Sequence, residues 1–215
     1  MKKLFLYICI VTFSCINLFS NLLVDEELYF NSDKSVLQGK KKYFYDEKNN
    51  IISVKSYNKD DVEEAKTDYI YEEGFLITAI EYNGKTKVKY SEFLYSSKKL
   101  IKKVEFDIQG KILLTHNYVY DDKYITAIED YSNDNIFLGK KEFTYENGYL
   151  IKETQFDEKD KVFMIKKYSY NDNLINLIEF YLAKGNLIRN VEKKYSKNKA
   201  ILNSFGYIEN FYDIK

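Results

Sequence analysis

A tyrosine recurs along this chain at a nearly constant interval: Tyr45, Tyr71, Tyr95, Tyr120, Tyr145, Tyr170 and Tyr195. An aromatic stands two residues before six of them, at Tyr43, Tyr69, Phe93, Tyr118, Phe143 and Tyr168, and Lys193 takes that place before the last. Residues two apart lie on one face of a strand. The spacing therefore predicts a strand of aromatic-x-Tyr type in every unit of about 25 residues.

A second apolar block follows each tyrosine. Residues 76–82, 100–106, 124–129 and 174–180 are close copies, and 150–156 is a looser one. Polar turns separate the blocks. Glu73-Gly74 and Asn147-Gly148 lie between the first and second blocks, and Asn83-Gly84-Lys85 and Gln109-Gly110-Lys111 follow the second. Asn-Gly between aromatic runs is a strong hairpin signal, because both residues accept positive φ. Residues 26–30 match the second block of a truncated first unit, and a drifted last unit lies around Ile201, Leu202 and Phe205.

The expected fold is all-β, an antiparallel meander of about 15 strands. Strands twist, and long sheets curl. A curled or spiral single sheet is expected, with a closed barrel as the alternative. The chain has 22 Tyr, 15 Phe, no Trp and no Pro, a composition that suits strands and leaves the turns to Asn, Asp, Lys and eight Gly.

The N-terminus reads as an address. Met1-Lys2-Lys3 precedes the apolar run 4–13, the form of a secretory signal peptide, with a permanent membrane anchor as the alternative. Residues 1–20 are assigned to the signal and 21–215 to the hairpin domain. Cleavage is expected before Cys15 or after Ser20. The segment Val11-Thr12-Phe13-Ser14-Cys15 resembles the lipoprotein signal of spirochaete-type bacteria. That resemblance implies a lipid on Cys15 and a membrane tether. Cys9 and Cys15 are the only cysteines, so the body of the chain has no internal disulfide.

The pattern aromatic-x-Tyr, turn, Leu-Ile, aromatic, then Gly-Lys resembles tyrosine-rich YD/RHS-type repeats and MORN-like hairpin repeats, with Tyr-Asp at Tyr45-Asp46 and Tyr120-Asp121. The resemblance implies a scaffold or binding surface and transfers no functional residue.

Little in the sequence points to chemistry. His116 is the only histidine and falls at a variable strand position, where other units carry Lys41, Thr67, Ser91, Lys141, Lys166 and Val191. With one His, zinc sites built on His and Cys are excluded, and no cofactor fingerprint is present. Glu81, Glu105, Glu129 and Glu179 recur in the second block and read as a solvated ladder of ion pairs. The turn at Asp157-Glu158-Lys159-Asp160 could hold Ca²⁺, but interleaved lysines oppose it. With 33 basic and 33 acidic residues, no net field steers nucleic acid.

The function expected from the sequence is an exported, non-enzymatic envelope protein, a repeat scaffold binding an unknown protein or glycan, in the periplasm or at the outer membrane or cell surface. An outer-membrane β-barrel and a carbohydrate-active enzyme are the alternatives. The tyrosine row is expected to serve chiefly as a core face. An exposed subset of Tyr69, Tyr71, Tyr95, Tyr118, Tyr120, Tyr145, Tyr168 and Tyr170 would form the binding face. No metal and no cofactor are expected.

Overall fold

The computed structural model describes residues 23–195. Signal cleavage, lipidation of Cys15 and the drifted last unit lie outside these residues. The described chain is fourteen antiparallel strands. They are β1 (Val24–Phe30), β2 (Leu37–Tyr45), β3 (Ile51–Asn58), β4 (Glu63–Glu72), β5 (Phe75–Asn83), β6 (Thr86–Ser96) and β7 (Lys99–Asp107). After these come β8 (Ile112–Tyr120), β9 (Ile125–Ser132), β10 (Phe137–Glu146), β11 (Tyr149–Asp157), β12 (Val162–Asn171), β13 (Leu174–Leu182) and β14 (Leu187–Tyr195).

Each strand pairs with its sequence neighbours, and β1 also pairs with β14, so the sheet is a closed barrel. This corrects the curled or spiral open sheet and realises its alternative. It also corrects the resemblance to open YD/RHS-type and MORN-like arrays. The reason for closure lies in the truncated first unit. Strand β14 lacks a covalent second strand among the described residues, and β1 supplies it. Lys193 faces Glu27 across this seam as Phe143 faces Glu153 in a covalent hairpin. Closure removes both sheet edges, with their unpaired N–H and C=O groups.

Two kinds of turn join the strands. At one rim the loops are tight, as at Glu73-Gly74 and Asn147-Gly148, where all four residues have positive φ. Asx-type turns do the work that proline does elsewhere; most lie at the other rim, and Asp46 and Asp121 make them at this one. Asp107 Oδ1 accepts from the backbone N–H groups of Gln109 and Lys111, and Asp157 Oδ1 from those of Lys159 and Lys161. That aspartate therefore caps a turn. Register shifts beside the turns mark bulges, which sharpen the local twist and help the sheet curve.

Strand alternation sorts the side chains into layers. Innermost at the tight-turn rim lie Tyr45, Tyr71, Tyr95, Tyr120, Tyr145, Tyr170 and Tyr195, facing Ile51, Leu76, Leu100, Ile125, Leu150 and Ile175. The next layer holds buried Tyr43, Tyr69, Phe93, Tyr118, Phe143 and Tyr168, opposite residues that include Val54, Ala79, Ile128 and Ile178. These two layers form one continuous core, contributed from around the ring. Tyrosine hydroxyls tie neighbouring hairpins together. Tyr120 donates to the Leu100 carbonyl (2.8 Å), Tyr170 to Leu150 (2.8 Å) and Tyr195 to Ile175 (2.6 Å).

Gly139 marks where the wall tolerates no side chain. Its φ is 141°, and a Cβ there would lie 2.3 Å from the Phe156 carbonyl oxygen. Gly139→Ala is expected to cost about 1–3 kcal/mol in backbone strain, read as a lower urea midpoint with an unchanged slope.

Candidate functional site

The structure carries three chemically distinct zones: a charged layer inside the barrel, a charged outer wall and an apolar rim.

The inner layer lies one step beyond the aromatic core. Its first-strand positions are Lys41, Thr67, Ser91, His116, Lys141, Lys166 and Val191, and the residues facing them include Glu81, Glu105, Asp130 and Gln155. A chain of ion pairs crosses six consecutive strands, β5 to β10. Lys89 bridges Glu81 (3.0 Å) and Glu105 (2.7 Å), and Lys103 meets Glu105 at 3.3 Å. His116 lies 3.2 Å from Glu105 and 2.6 Å from Asp130, and Lys141 completes the run at 3.6 Å from Asp130. Elsewhere on the ring, Lys166 meets Glu153 at 2.8 Å, with Tyr168 donating to the same carboxylate at 2.9 Å. At the seam, Lys193 meets Glu27 at 2.8 Å, and Tyr29 donates to Glu27.

Burial and charge compete here. Burial alone would raise Glu105, but the hydrogen bond from His116 and the charges of Lys103 and Lys89 hold it far below the usual carboxylate range. Burial would push His116 down, but hydrogen bonds to Asp130 and Glu105 outweigh it and hold the imidazole above its ordinary value. Burial lowers Lys166, as does the nearby charge of Lys141, against the pull of Glu153. Raised in the folded state, His116 stabilises the barrel fully below its unfolded pKa of about 6.5. That contribution fades as pH rises through the folded value. Depressed Glu105 contributes above its unfolded pKa of about 4.3 and loses that as pH falls toward its folded value. The stability advantage of the native chain over His116→Gln is therefore expected to be largest between these two values and to shrink above about pH 6.5. Urea midpoints of both proteins across pH check this; an advantage that grows with pH would contradict it.

The recurring glutamates do not form one ladder. Glu81 and Glu105 face inward, whereas Glu129 and Glu179 lie one residue off that register and face outward. Asp130 is the inward group of its own unit. A one-residue offset exchanges the faces of a strand, and the similar Ile-Glu pairs of these units carry no mark of it. The ion-pair ladder expected to be solvated is therefore partly interior. Among the described residues no group of three His, Cys, Asp or Glu could hold a metal ion.

The tyrosines expected to supply an exposed binding subset point into the barrel. Tyr69, Tyr118 and Tyr168 are buried, and Tyr71, Tyr95, Tyr120, Tyr145 and Tyr170 pack partly buried against the core. They are the packing that fills this half of the bore.

The outer wall is charged at mid-height. Outward positions there carry Lys42, Lys55, Asp68, Glu92, Glu129, Glu142, Lys167, Glu179 and Glu192. A lipid-spanning wall would need apolar residues at this level.

The rim opposite the tight turns is different. Four of its seven turns expose a large apolar side chain, Val36, Val62, Ile108 and Ile136, and after the other three the strands expose Val88, Phe163 and Ile188 at their second or third residue. Ile136 is 61% exposed and Val62 56%. Just inward along the wall runs a belt of outward-facing aromatics, one from each odd-numbered strand: Phe30, Tyr57, Tyr82, Phe106, Tyr131, Phe156 and Tyr181. Lysines lie over several of these rings, Lys66 at 4.4 Å from the Tyr82 centroid, Lys140 at 4.9 Å from Phe156 and Lys167 at 4.7 Å from Tyr181. Neither crown nor belt was anticipated from the sequence. Their signals are an apolar residue recurring in or beside each turn of that rim and an aromatic recurring near the end of each second block, as at Tyr82, Phe106 and Phe156.

No protein-family model matches the sequence, and no curated protein matches it. Among solved structures, the barrel resembles a porin-like protein from Bacteroides vulgatus, with a TM-score of 0.53 at 9% identity over 82% of this chain and 100% of that one. A porin-like protein from Bacteroides uniformis aligns with a TM-score of 0.46 at 9% identity over 80% of this chain and 98% of that one, too distant to carry an argument. The first alignment bears on the fold alone: a closed porin-like barrel.

Proposed function

We propose that this protein is a non-enzymatic barrel of the bacterial cell envelope, resident at the outer membrane, with an obstructed bore and a wall that stands in water. The open repeat scaffold binding a protein or glycan is set aside, because the aromatic row it relied on is the core of a closed barrel. The closed fold and its porin-like relation favour the alternative of a barrel protein of the outer membrane. The observation that carries the further reading is the charged mid-height wall. Lys42, Lys55 and Lys167 alone would cost on the order of 10 kcal/mol at a bilayer midplane, at about 2–4 kcal/mol each. Two buried layers across the bore oppose conduction. A lipid on Cys15 would tether the barrel at the membrane, and the intact mass of the native protein tests that.

The test of the wall uses the protein in place. Cells with a permeabilised outer membrane are treated with a membrane-impermeant amine reagent, and lysines are mapped by mass spectrometry. Lys42, Lys55 and Lys167 are expected to react about as fast as turn lysines such as Lys59 and Lys184. Protection of the three with free reaction of the turns would favour the second reading, a barrel that spans the bilayer, to which the closed fourteen-stranded meander also lends support.

A further inference from the structure

We infer that the Asx-turn rim is a lipid-docking surface, which rests on the wall being in water and lets the barrel meet a membrane end-on. A water-facing protein seldom exposes a continuous apolar patch without a partner for it. Here the apolar residues are not a patch on one side. Each of the seven turns, or the first residues of the strand that follows it, contributes one, including Val62, Ile108 and Ile136, so they form a ring at one end of the barrel. A ring of this kind is engaged in full only by a flat partner perpendicular to the barrel axis. A lipid surface is such a partner.

The belt behind the crown specifies lipid further. Aromatic rings and long lysines at one level match the zone between acyl chains and headgroups, where amphipathic rings settle and lysines extend their ammonium groups to the phosphates. Lys66, Lys140 and Lys167 already lie over belt rings. Insertion would carry the aliphatic crown about 5–10 Å into the headgroup and acyl boundary, the usual depth for interfacial elements. Acidic turn residues do not separate the rims, since Asp33, Asp60, Asp61, Asp134 and Asp160 lie on this one and Asp46, Glu47, Glu73, Asp121 and Asp122 on the other. What separates them is placement: the exposed apolar side chains of the opposite end, such as Phe44, Ile70 and Leu94, lie on strands of the wall, whereas Val36, Val62, Ile108 and Ile136 lie in the turns themselves. Val24, where the N-terminal segment joins the barrel, lies at that tight-turn rim, so a tether on Cys15 would not by itself place the crown.

The experiment reads the two rims and the wall separately in the full chain with Cys9→Ser and Cys15→Ser. A single environment-sensitive fluorophore is attached through Ile136→Cys at the crown, Ser97→Cys at the tight-turn rim or Glu92→Cys on the wall. Each protein is mixed with vesicles of phosphatidylethanolamine and phosphatidylglycerol containing brominated lipid. Quenching is expected at position 136 and not at 97 or 92. Ile108→Asp with Val62→Asp, both on exposed turns, should lower quenching at 136 by about tenfold while leaving the melting temperature unchanged. Quenching at 97 alone, at no position, or at 136 but unaffected by the two aspartates would overturn the docking. Strong quenching at 92 would instead overturn the water-facing wall beneath it. A vesicle-free rim-to-rim dimer that shields position 136 would replace the membrane with a second copy and equally overturn the proposal.

Discussion

Glu153→Leu is expected to destabilise the barrel by about 3–5 kcal/mol, the usual cost of stranding one partner of a buried ion pair. Glu153 is 1% exposed and sits between Lys166, the Tyr168 hydroxyl and the Gln155 amide. Removing its carboxylate leaves a buried ammonium and two polar groups without their acceptor. At about 2–4 °C per kcal/mol for a chain of this size, the melting temperature should fall by roughly 6–20 °C. The double variant Glu153→Leu with Lys166→Met, which removes both charges, should recover much of the loss. Calorimetry on the single and double variants checks both. A double variant no better than the single one would show that the pair is not the source of the cost.

The second large effect is expected at Phe143. It is buried in the core layer, and its Cα partner across the hairpin is Glu153. Phe143→Ala should cost about 3–5 kcal/mol through lost burial and the cavity left behind. Phe143→Leu should cost much less. Because Phe143 and Glu153 are neighbours, their substitutions should not add, and the deviation measures how far core and charged layer act as one unit. Additivity within about 0.5 kcal/mol would mean the layers are independent.

The local order of this fold was open to sequence reading because it is periodic. The aromatic-x-Tyr spacing places Tyr43 with Tyr45 and Tyr168 with Tyr170 on one face, and the Gly and Asn turns mark hairpins. Closure was harder to see. It rests on pairing Glu27 with Lys193, far apart in sequence, and that seam departs from the aromatic pattern at the point where the ring joins. An ion pair substitutes there for an aromatic core pair.

The interior charges were hidden for a different reason. Glu81 and Glu129 look equivalent beside their Ile neighbours, yet they differ by one residue in distance from the turn. Only the bulges and the pairing reveal which one enters the bore. The crown escaped notice because Val36, Val62 and Ile136 lie inside segments dominated by Asn, Asp and Lys. Sequence alone does not say that seven such turns converge on one rim.

Closure of the ring is the premise on which the filled bore, the charged wall and the single crown all depend. It is tested most directly by Leu28→Cys with Glu192→Cys in the chain lacking Cys9 and Cys15. These residues are Cα partners on β1 and β14 and face outward. In a closed barrel a mild oxidant should join them rapidly within one molecule, giving faster migration on a non-reducing gel and a mass lower by two hydrogens. In an open sheet of fourteen strands spaced about 4.8 Å apart, the same residues would sit about 60 Å apart. A chain that stays reduced, or cross-links only between molecules, would contradict the barrel.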